Sequence, residues 1–262
     1  MKTIILCGGQ GTRMKEETEF RPKPLVSIGG KPIIWHIMKI YAHYGYNDFI
    51  LALGYKGDMI KEYFLHWRTF LNDFTLITKN NELTFHNNDC DDFRITFAET
   101  GLETLTGERV RQLKKYIDED DFMVTYGDGV ADVNIRELVD FHKKQNTIGT
   151  ITGVHRAGRF GLIQGEPGTG KIKGFSQHNI TAEPTKSSAQ DYVNGGFMVF
   201  KKEFFDLLES DTMVEKAFVP LAASGDLSVY HHPGKWQCMD TYKEVEELNE
   251  SWVKEPFWKV WQ

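Results

Sequence analysis

The sequence predicts an α/β protein, with a doubly wound, mostly parallel sheet in residues 1–148 and a smaller β-rich half in residues 149–262. Three observations carry this. Continuous apolar runs begin near Thr3 and Asp48, as strands buried on both faces require. Segments of helical spacing lie between such runs, the order that builds a doubly wound sheet. After about residue 150 the texture changes to short runs joined by Gly-rich turns.

Thr3 to Cys7 is apolar and is followed at once by Gly8-Gly9-Gln10-Gly11, a buried strand that ends in a glycine loop. Lys31-Pro32 opens a helix, in which Ile33, Ile34, Ile37, Met38 and Tyr41 recur at helical spacing until Gly45 stops it. Asp48 to Leu53 is a second strand, and a helix follows from about Asp58 to Trp67. Asn72 to Asp92 is rich in Asn and Asp with short β-branched and aromatic pieces, which predicts a surface hairpin inserted into the fold. Arg94 to Ala98 is a strand, Val110 to Ile117 a helix, Phe122 to Tyr126 a strand, and Ile135 to Lys144 a helix. The β-rich half then places strands at Gly149 to Val154, Phe160 to Gln164, Lys171 to Phe175 and Tyr192 to Phe200. The tail from Tyr242 carries Trp252, Trp258 and Trp261, with enough aromatic area to dock on the body or on another subunit.

Composition excludes several classes. The chain has 262 residues and 40% hydrophobic content, which is too apolar for disorder. Its 31 Lys and Arg against 37 Asp and Glu give a formal charge of −6, with no basic patch of the kind nucleic acid needs. No apolar run approaches the roughly 18 residues of a membrane span, and Lys2 leads into a strand and not into a signal peptide. Cys7, Cys90 and Cys238 are scattered and odd in number, so free thiols and a cytoplasmic location are expected.

The glycine loop Gly8 to Arg13 is the main chemical signal. Glycines let backbone N–H groups approach anionic oxygens, and Arg13 adds a fixed cation. Pro22-Lys23-Pro24 restricts the backbone around a second one. Asp128 ends a buried strand in Tyr126-Gly127-Asp128-Gly129, on the edge where open α/β sheets bind ligands. Paired with Asp240, it offers the hard oxygens Mg²⁺ prefers alongside phosphates and water. Gly165 to Lys171 fits the GxxxxGK spacing, but Ile172 stands where Ser or Thr should hold magnesium, and the loop lies between strands, so it is read as a hairpin turn. His231-His232 is adjacent on a strand, points to opposite faces and lacks a third ligand, so it is read as packing.

Together these segments resemble the nucleotidyltransferases of the sugar-1-phosphate type, most closely the glucose-1-phosphate cytidylyltransferases. The resemblance rests on GGxGTRxxEET from Gly8 to Thr18, Pro22 to Pro24, IGGKPIIWHIMKI from Ile28 to Ile40 and GYKGxxIKEYF from Gly54 to Phe64. It continues through Thr100-Gly101, Thr106-Gly107 with Arg109, YGDGVAD from Tyr126 to Asp132, GRFG from Gly158, NGGF from Asn194 and HPGxWQxMDT ending at Thr241.

The resemblance implies a Rossmann-like nucleotidyltransferase fold whose first half binds CTP and whose second half completes the acceptor pocket. Leu6, Cys7, Gly8, Gly9, Gln10, Gly11, Thr12, Arg13 and Lys23 would hold the triphosphate, with Thr104, Arg109 and Gly127 beside the nucleotide. Arg13 and Lys23 would be catalytic, Asp128 and Asp240 would hold Mg²⁺ or Mn²⁺, and Arg159, His178, Asn194 and Gly195 would face the acceptor. It also implies a homo-oligomer, to which the residues add that Trp252, Trp258 and Trp261 are spaced so that all three cannot face one intramolecular core. The departure from the family lies on the acceptor side. Where the family has F-x-E-K-P, this chain has Phe175-Ser176-Gln177-His178-Asn179, without the lysine. A related branch in capsule modification joins CMP to phosphorylated L-glutamine, and Gln177 and Asn179 suit such a non-sugar acceptor. The alternatives are glucose 1-phosphate, with CDP-glucose as product, and a CTP-sensing module without turnover. A dinucleotide-binding oxidoreductase is excluded, since GGQGTR lacks the third glycine and no acidic residue closes the strand at Leu53.

Overall fold

The computed structural model describes residues 1–155, 162–165, 172–176 and 192–262. The chain opens on β1 (Thr3–Leu6), passes through the glycine loop into a short helix α1 (Lys15–Thr18), and forms a tight pair β2 (Ser27–Ile28) and β3 (Lys31–Pro32). Helix α2 (Ile33–His43) therefore starts one step later than expected. Pro32 has no N–H and sits in extended geometry as its N-cap, while Lys31 still pairs with Ile28. Next come β4 (Asp48–Leu53), α3 (Gly57–Leu65) and α4 (Trp67–Leu71). The single expected helix to Trp67 is divided at His66, whose backbone leaves helical geometry.

The Asn/Asp-rich insertion is the expected hairpin, β5 (Phe74–Ile77) against β6 (Glu82–Phe85), exposed along nearly its whole length. It is tied to α2 through Asp91, which accepts from Trp35 Nε1 at 2.7 Å and from Lys39 Nζ at 2.6 Å. Then follow β7 (Arg94–Glu99), α5 (Thr106–Gln112), β8 (Asp121–Tyr126), β9 (Gly129–Ala131) and α6 (Ile135–Gln145). Helix α5 begins four residues before the expected Val110 and gives way after Gln112 to a 3₁₀ turn at Leu113–Tyr116. The second half supplies β10 (Gly149–His155), β11 (Leu162–Gly165), β12 (Ile172–Ser176), β13 (Tyr192–Lys201), α7 (Phe218–Ser224), β14 (Leu227–His232), β15 (Trp236–Cys238) and α8 (Tyr242–Lys254).

Among the described residues the main sheet has nine strands. Its parallel part runs β8-β1-β4-β7, and β13 joins it antiparallel through β8, so strands of both halves share one sheet. Side chains alternate between its two faces. Ile5, Leu51 and Met123 pack with α2, α6 and α8 on one side, and Ile4, Ile50 and Val124 pack with α5 and α7 on the other. Both faces are dry, which is why the strands read as continuous apolar runs. Strands β11 and β12 pair antiparallel, as a hairpin reading of the GxxxxGK-like segment expects, though residues 166–171 lie outside the described ones.

The tail corrects one expectation. Trp258 is fully buried, and Trp252 and Trp261 pack on the same core, with rings around His36 at 5.8, 4.9 and 6.2 Å between centroids. The three tryptophans do share one intramolecular core. Beyond the end of α8 at Lys254 the chain folds back, so sequence spacing in the tail does not set direction there. Cys7, Cys90 and Cys238 are free thiols. No helix among the described residues is long and apolar enough to cross a membrane.

Candidate active site

A cleft of about 290 Å³ opens at the C-terminal edge of β1 and β8. It is lined by Leu6, Cys7, Gly8, Gly9 and Gly11 from the glycine loop, by Lys23, by Thr104 and Arg109, and by Gly127 and Asp128. Most of the residues expected to surround a nucleotide thus meet in one place. Gln10, Thr12 and Arg13 are not among the lining residues. Tyr126, Pro24, Leu105, Thr106 and Met213 also line it, and sequence reasoning did not assign them. Tyr126 was legible as the neighbour of Gly127, whereas Met213 comes from the second half with no local motif to mark it.

The glycine loop is shaped by Arg109. Its guanidinium is buried and donates to five acceptors: Leu53 O (3.0 Å), Thr100 Oγ1 (2.6 Å), Gly101 O (2.7 Å), Gly8 O (3.1 Å) and Leu102 O (3.2 Å). It binds the ends of β4 and β7 to the loop after β1. A Cβ on Gly8 would stand 2.2 Å from Arg109 Nη1, and one on Gly54 would stand 2.6 Å from it, so both glycines make room for this group. Burial lowers the guanidinium's pKa, but the fork stays charged and its acceptors are mostly carbonyls that would otherwise face the cleft unpaired. Burial likewise pushes the Cys7 thiol far above its usual range, so it is a packing atom.

Beside the loop lies a charged cluster. Lys23 Nζ sits 2.6 Å from Asp128 Oδ2 and 2.7 Å from Asp240 Oδ1, and Arg13 Nη1 lies 3.4 Å from Asp240 Oδ2. Burial alone would lower the pKa of the Lys23 ammonium; the two carboxylates more than reverse this and hold it above its ordinary value. Asp128 and Asp240 are 112 positions apart in sequence. They are brought together by the ladder of β15 on β9, where Cys238 pairs with Gly129 and Met239 N donates to Asp128 O at 2.8 Å. The start of α8 then fixes Asp240. Glu244 Oε2 accepts from Asp240 N (2.7 Å) and Thr241 N (2.9 Å), closing a capping box with Thr241 as N-cap.

The donor set suits a hard divalent ion. Two carboxylates joined through Lys23, with Asp128 lining the cleft, match an ion that takes one or two of them and completes its sphere with phosphate and water. Among the described residues no group of three His, Cys, Asp or Glu is placed to hold a metal ion. His232 instead contacts Asp132 Oδ1 at 2.8 Å, and the His231 ring packs on Tyr192. On the acceptor side, Asn194 Oδ1 accepts from Gly196 N (3.0 Å), and Gly195 O accepts from Trp236 Nε1 (2.7 Å). Neither Asn194 nor Gly195 lines the cleft. Arg159 and His178 lie outside the described residues, as do Gln177 and Asn179.

The chain is 45% identical to a Bacillus subtilis protein described as a probable glucose-1-phosphate cytidylyltransferase, with 100% of both chains covered. It is 39% identical, again with 100% of both covered, to the glucose-1-phosphate cytidylyltransferase of Salmonella typhi. Its fold superposes on a UDP-glucose pyrophosphorylase solved with UDP-glucose at a TM-score of 0.76, covering 97% of this chain and 98% of that one at 15% identity. Residues 2–251 match the model described as nucleotidyl transferase. That span takes in β1 and its glycine loop, both aspartates and the strands that hold them: the chain belongs to the nucleotidyl transferase family.

Proposed function

We propose that this protein transfers CMP from CTP to glucose 1-phosphate, releasing pyrophosphate and forming CDP-glucose. The observation that carries the proposal is a cleft at the strand ends lined by the glycine loop, Lys23 and Asp128, with Asp240 ion-paired to Lys23 and Arg13 to Asp240. The choice of nucleotide and acceptor draws on the full-length likeness to proteins described as glucose-1-phosphate cytidylyltransferases. The preference for a phosphorylated non-sugar rests on Gln177, His178 and Asn179, which lie outside the described residues, and neither relative's name carries such an acceptor.

In this reading an oxygen of the acceptor phosphate attacks the α-phosphorus of CTP, and the bond to the β-phosphate oxygen breaks. The nucleophile is already ionised, so no side chain need act as general base. Both reactants are polyanions, and their approach costs several kcal/mol, or about 4 kcal/mol for one pair of unit charges 4 Å apart at intermediate dielectric, unless cations offset it. Arg13 and Lys23 supply two, and the loop's backbone N–H groups orient the triphosphate. Asp128 and Asp240 would hold Mg²⁺ or Mn²⁺, which when bound neutralises phosphate charge and aligns the reacting groups. Residues 1–148 then serve the nucleotide, and residues 149–262 contribute Asp240 to the ion and, with Arg159, His178, Asn194 and Gly195, serve the acceptor. We place the reaction in the cytoplasm, where three free thiols persist.

The test is pyrophosphate release from CTP and Mg²⁺ with a panel of acceptors. Glucose 1-phosphate should be converted to CDP-glucose. Turnover with phosphorylated L-glutamine but none with glucose 1-phosphate would reject the sugar reading, and CTP binding without any turnover would favour a sensor. With the tryptophans accounted for, self-association rests on the family resemblance, and a monomeric mass by light scattering at micromolar concentration would reject it.

A further inference from the structure

Lys23 occupies an unusual position for a phosphate-binding lysine. Its ammonium is nearly equidistant from Asp128 Oδ2 and Asp240 Oδ1, at 2.6 and 2.7 Å, with all three side chains largely buried. A divalent ion that uses both carboxylates must bind, at about 2.1 Å, groups that already hold cations: Lys23 on Asp128 Oδ2 and Asp240 Oδ1, and Arg13 on Asp240 Oδ2. Whichever oxygen of Asp240 it takes, a cation lies within 3.4 Å of that oxygen. Ammonium and metal therefore compete for one pair of ligands.

We propose that Lys23 is an internal counter-ion that exchanges with the metal: it holds the two carboxylates until a polyphosphate enters the cleft, then turns onto the phosphates and releases both carboxylates to the ion. The proposal rests on the reading of Asp128 and Asp240 as metal ligands. Three observations support the exchange. Lys23 lines the same cleft as Gly8, Gly9 and Gly11, so phosphate held by the loop lies within reach of its stem. The Lys23 Cβ is 3.5 Å from the position a Cβ on Gly11 would take, which places the root of the side chain beside the loop. Pro22 and Pro24 flank it and its backbone is set in a 3₁₀ turn, so the motion needs side-chain torsions only. Electrostatics acts in the same direction: a dication brought to the two aspartates is repelled by the ammonium they hold, and that repulsion falls when the ammonium leaves.

The consequence runs against intuition, because removing a cation from the catalytic cleft should improve metal binding while abolishing turnover. The test is Mn²⁺ binding to the nucleotide-free full chain, followed by electron paramagnetic resonance, for the wild type, Lys23→Met and the double variant Lys23→Met/Asp128→Asn. Lys23→Met should bind Mn²⁺ at least tenfold more tightly than the wild type, and the double variant should lose that gain. Equal or weaker binding by Lys23→Met overturns the exchange. Tight binding that survives in the double variant shows instead that the ion does not use Asp128, and the carboxylate reading itself fails. If Lys23→Met does not fold, Lys23→Gln, which keeps hydrogen-bond donors without the charge, carries the same expectation and the same refutation.

Discussion

At the scale of single residues, the site depends on Arg109 as much as on the groups that would face substrate. Its fork satisfies five acceptors from three segments, a task that a lysine's single ammonium cannot repeat. Arg109→Lys should therefore cost about 2–4 kcal/mol of stability, since hydrogen bonds to a charged group contribute roughly 1.5–3 kcal/mol each and the remaining carbonyls are left unpaired. Urea unfolding measures this, and a loss under about 0.5 kcal/mol would contradict it. Gly8→Ala brings a methyl into the same guanidinium and should raise the KM for CTP about tenfold or more by displacing the loop. Lys23→Ala and Arg13→Ala should each lower turnover by on the order of a hundredfold with the fold retained, because their charge matters most as the two polyanions react; near wild-type turnover in both would defeat the assignment. The sequence showed the loop, Lys23 and both aspartates because each sits in a motif of distinctive local chemistry. It did not show that Gly8 and Arg109 interlock across 101 positions, since nothing local requires it.

At the scale of elements, the strands that run through the middle of the sheet were legible and the ends of the helices were not. Strands β1, β4 and β8 are buried on both faces, so hydrophobic burial alone writes an apolar run. The start of α5 is different: Thr106 and Gly107 belong to the helix because Gly107 N bonds Thr212 O and Thr106 Oγ1 accepts from Val214 N, contacts to a segment more than 100 residues away. The pairing of β9 with β15 is equally non-local, and it is what places Asp240 beside Asp128. Its alignment continues into the capping box of α8. Replacing Glu244 by Ala removes the acceptor for both Asp240 N and Thr241 N and should cost about 1–2 kcal/mol, the usual worth of a cap. It should also raise the Mg²⁺ concentration needed for half-maximal rate several-fold, whereas a merely structural loss would leave that concentration unchanged. Thermal unfolding and a metal titration of initial rates separate the two.

At the scale of the whole molecule, the C-terminal tail closes over the start of α2, and His36 is the pin. It is fully buried between Trp35, Trp252, Trp258 and Trp261. The contact of its Nε2 with Ile28 O at 2.8 Å requires the proton on that nitrogen, which leaves Nδ1 to accept from Trp258 Nε1 at 3.2 Å. Protonating Nδ1 breaks that second bond and buries a charge. Burial accordingly lowers its pKa to about 4, with nearby Lys31 acting in the same direction against the backbone hydrogen bonds. A folded value below the unfolded one near 6.5 means that the unfolded chain takes up the proton first. Stability supplied by neutral His36 is thus complete above about pH 6.5 and is lost as the pH falls toward 4, by about 3 kcal/mol in all. His142, buried and lowered to about 4 in the same way, adds a loss over the same window, so total acid sensitivity does not isolate either group. The variant His36→Gln does, because its amide can still donate to Ile28 O and accept from Trp258 while having no proton to gain. Urea unfolding followed by tryptophan fluorescence at pH 7.5 and pH 4.5 should show the wild type losing about 2–3 kcal/mol more than His36→Gln between the two conditions. Equal losses in both proteins would mean that His36 does not tie the acid response to the docking of the tail.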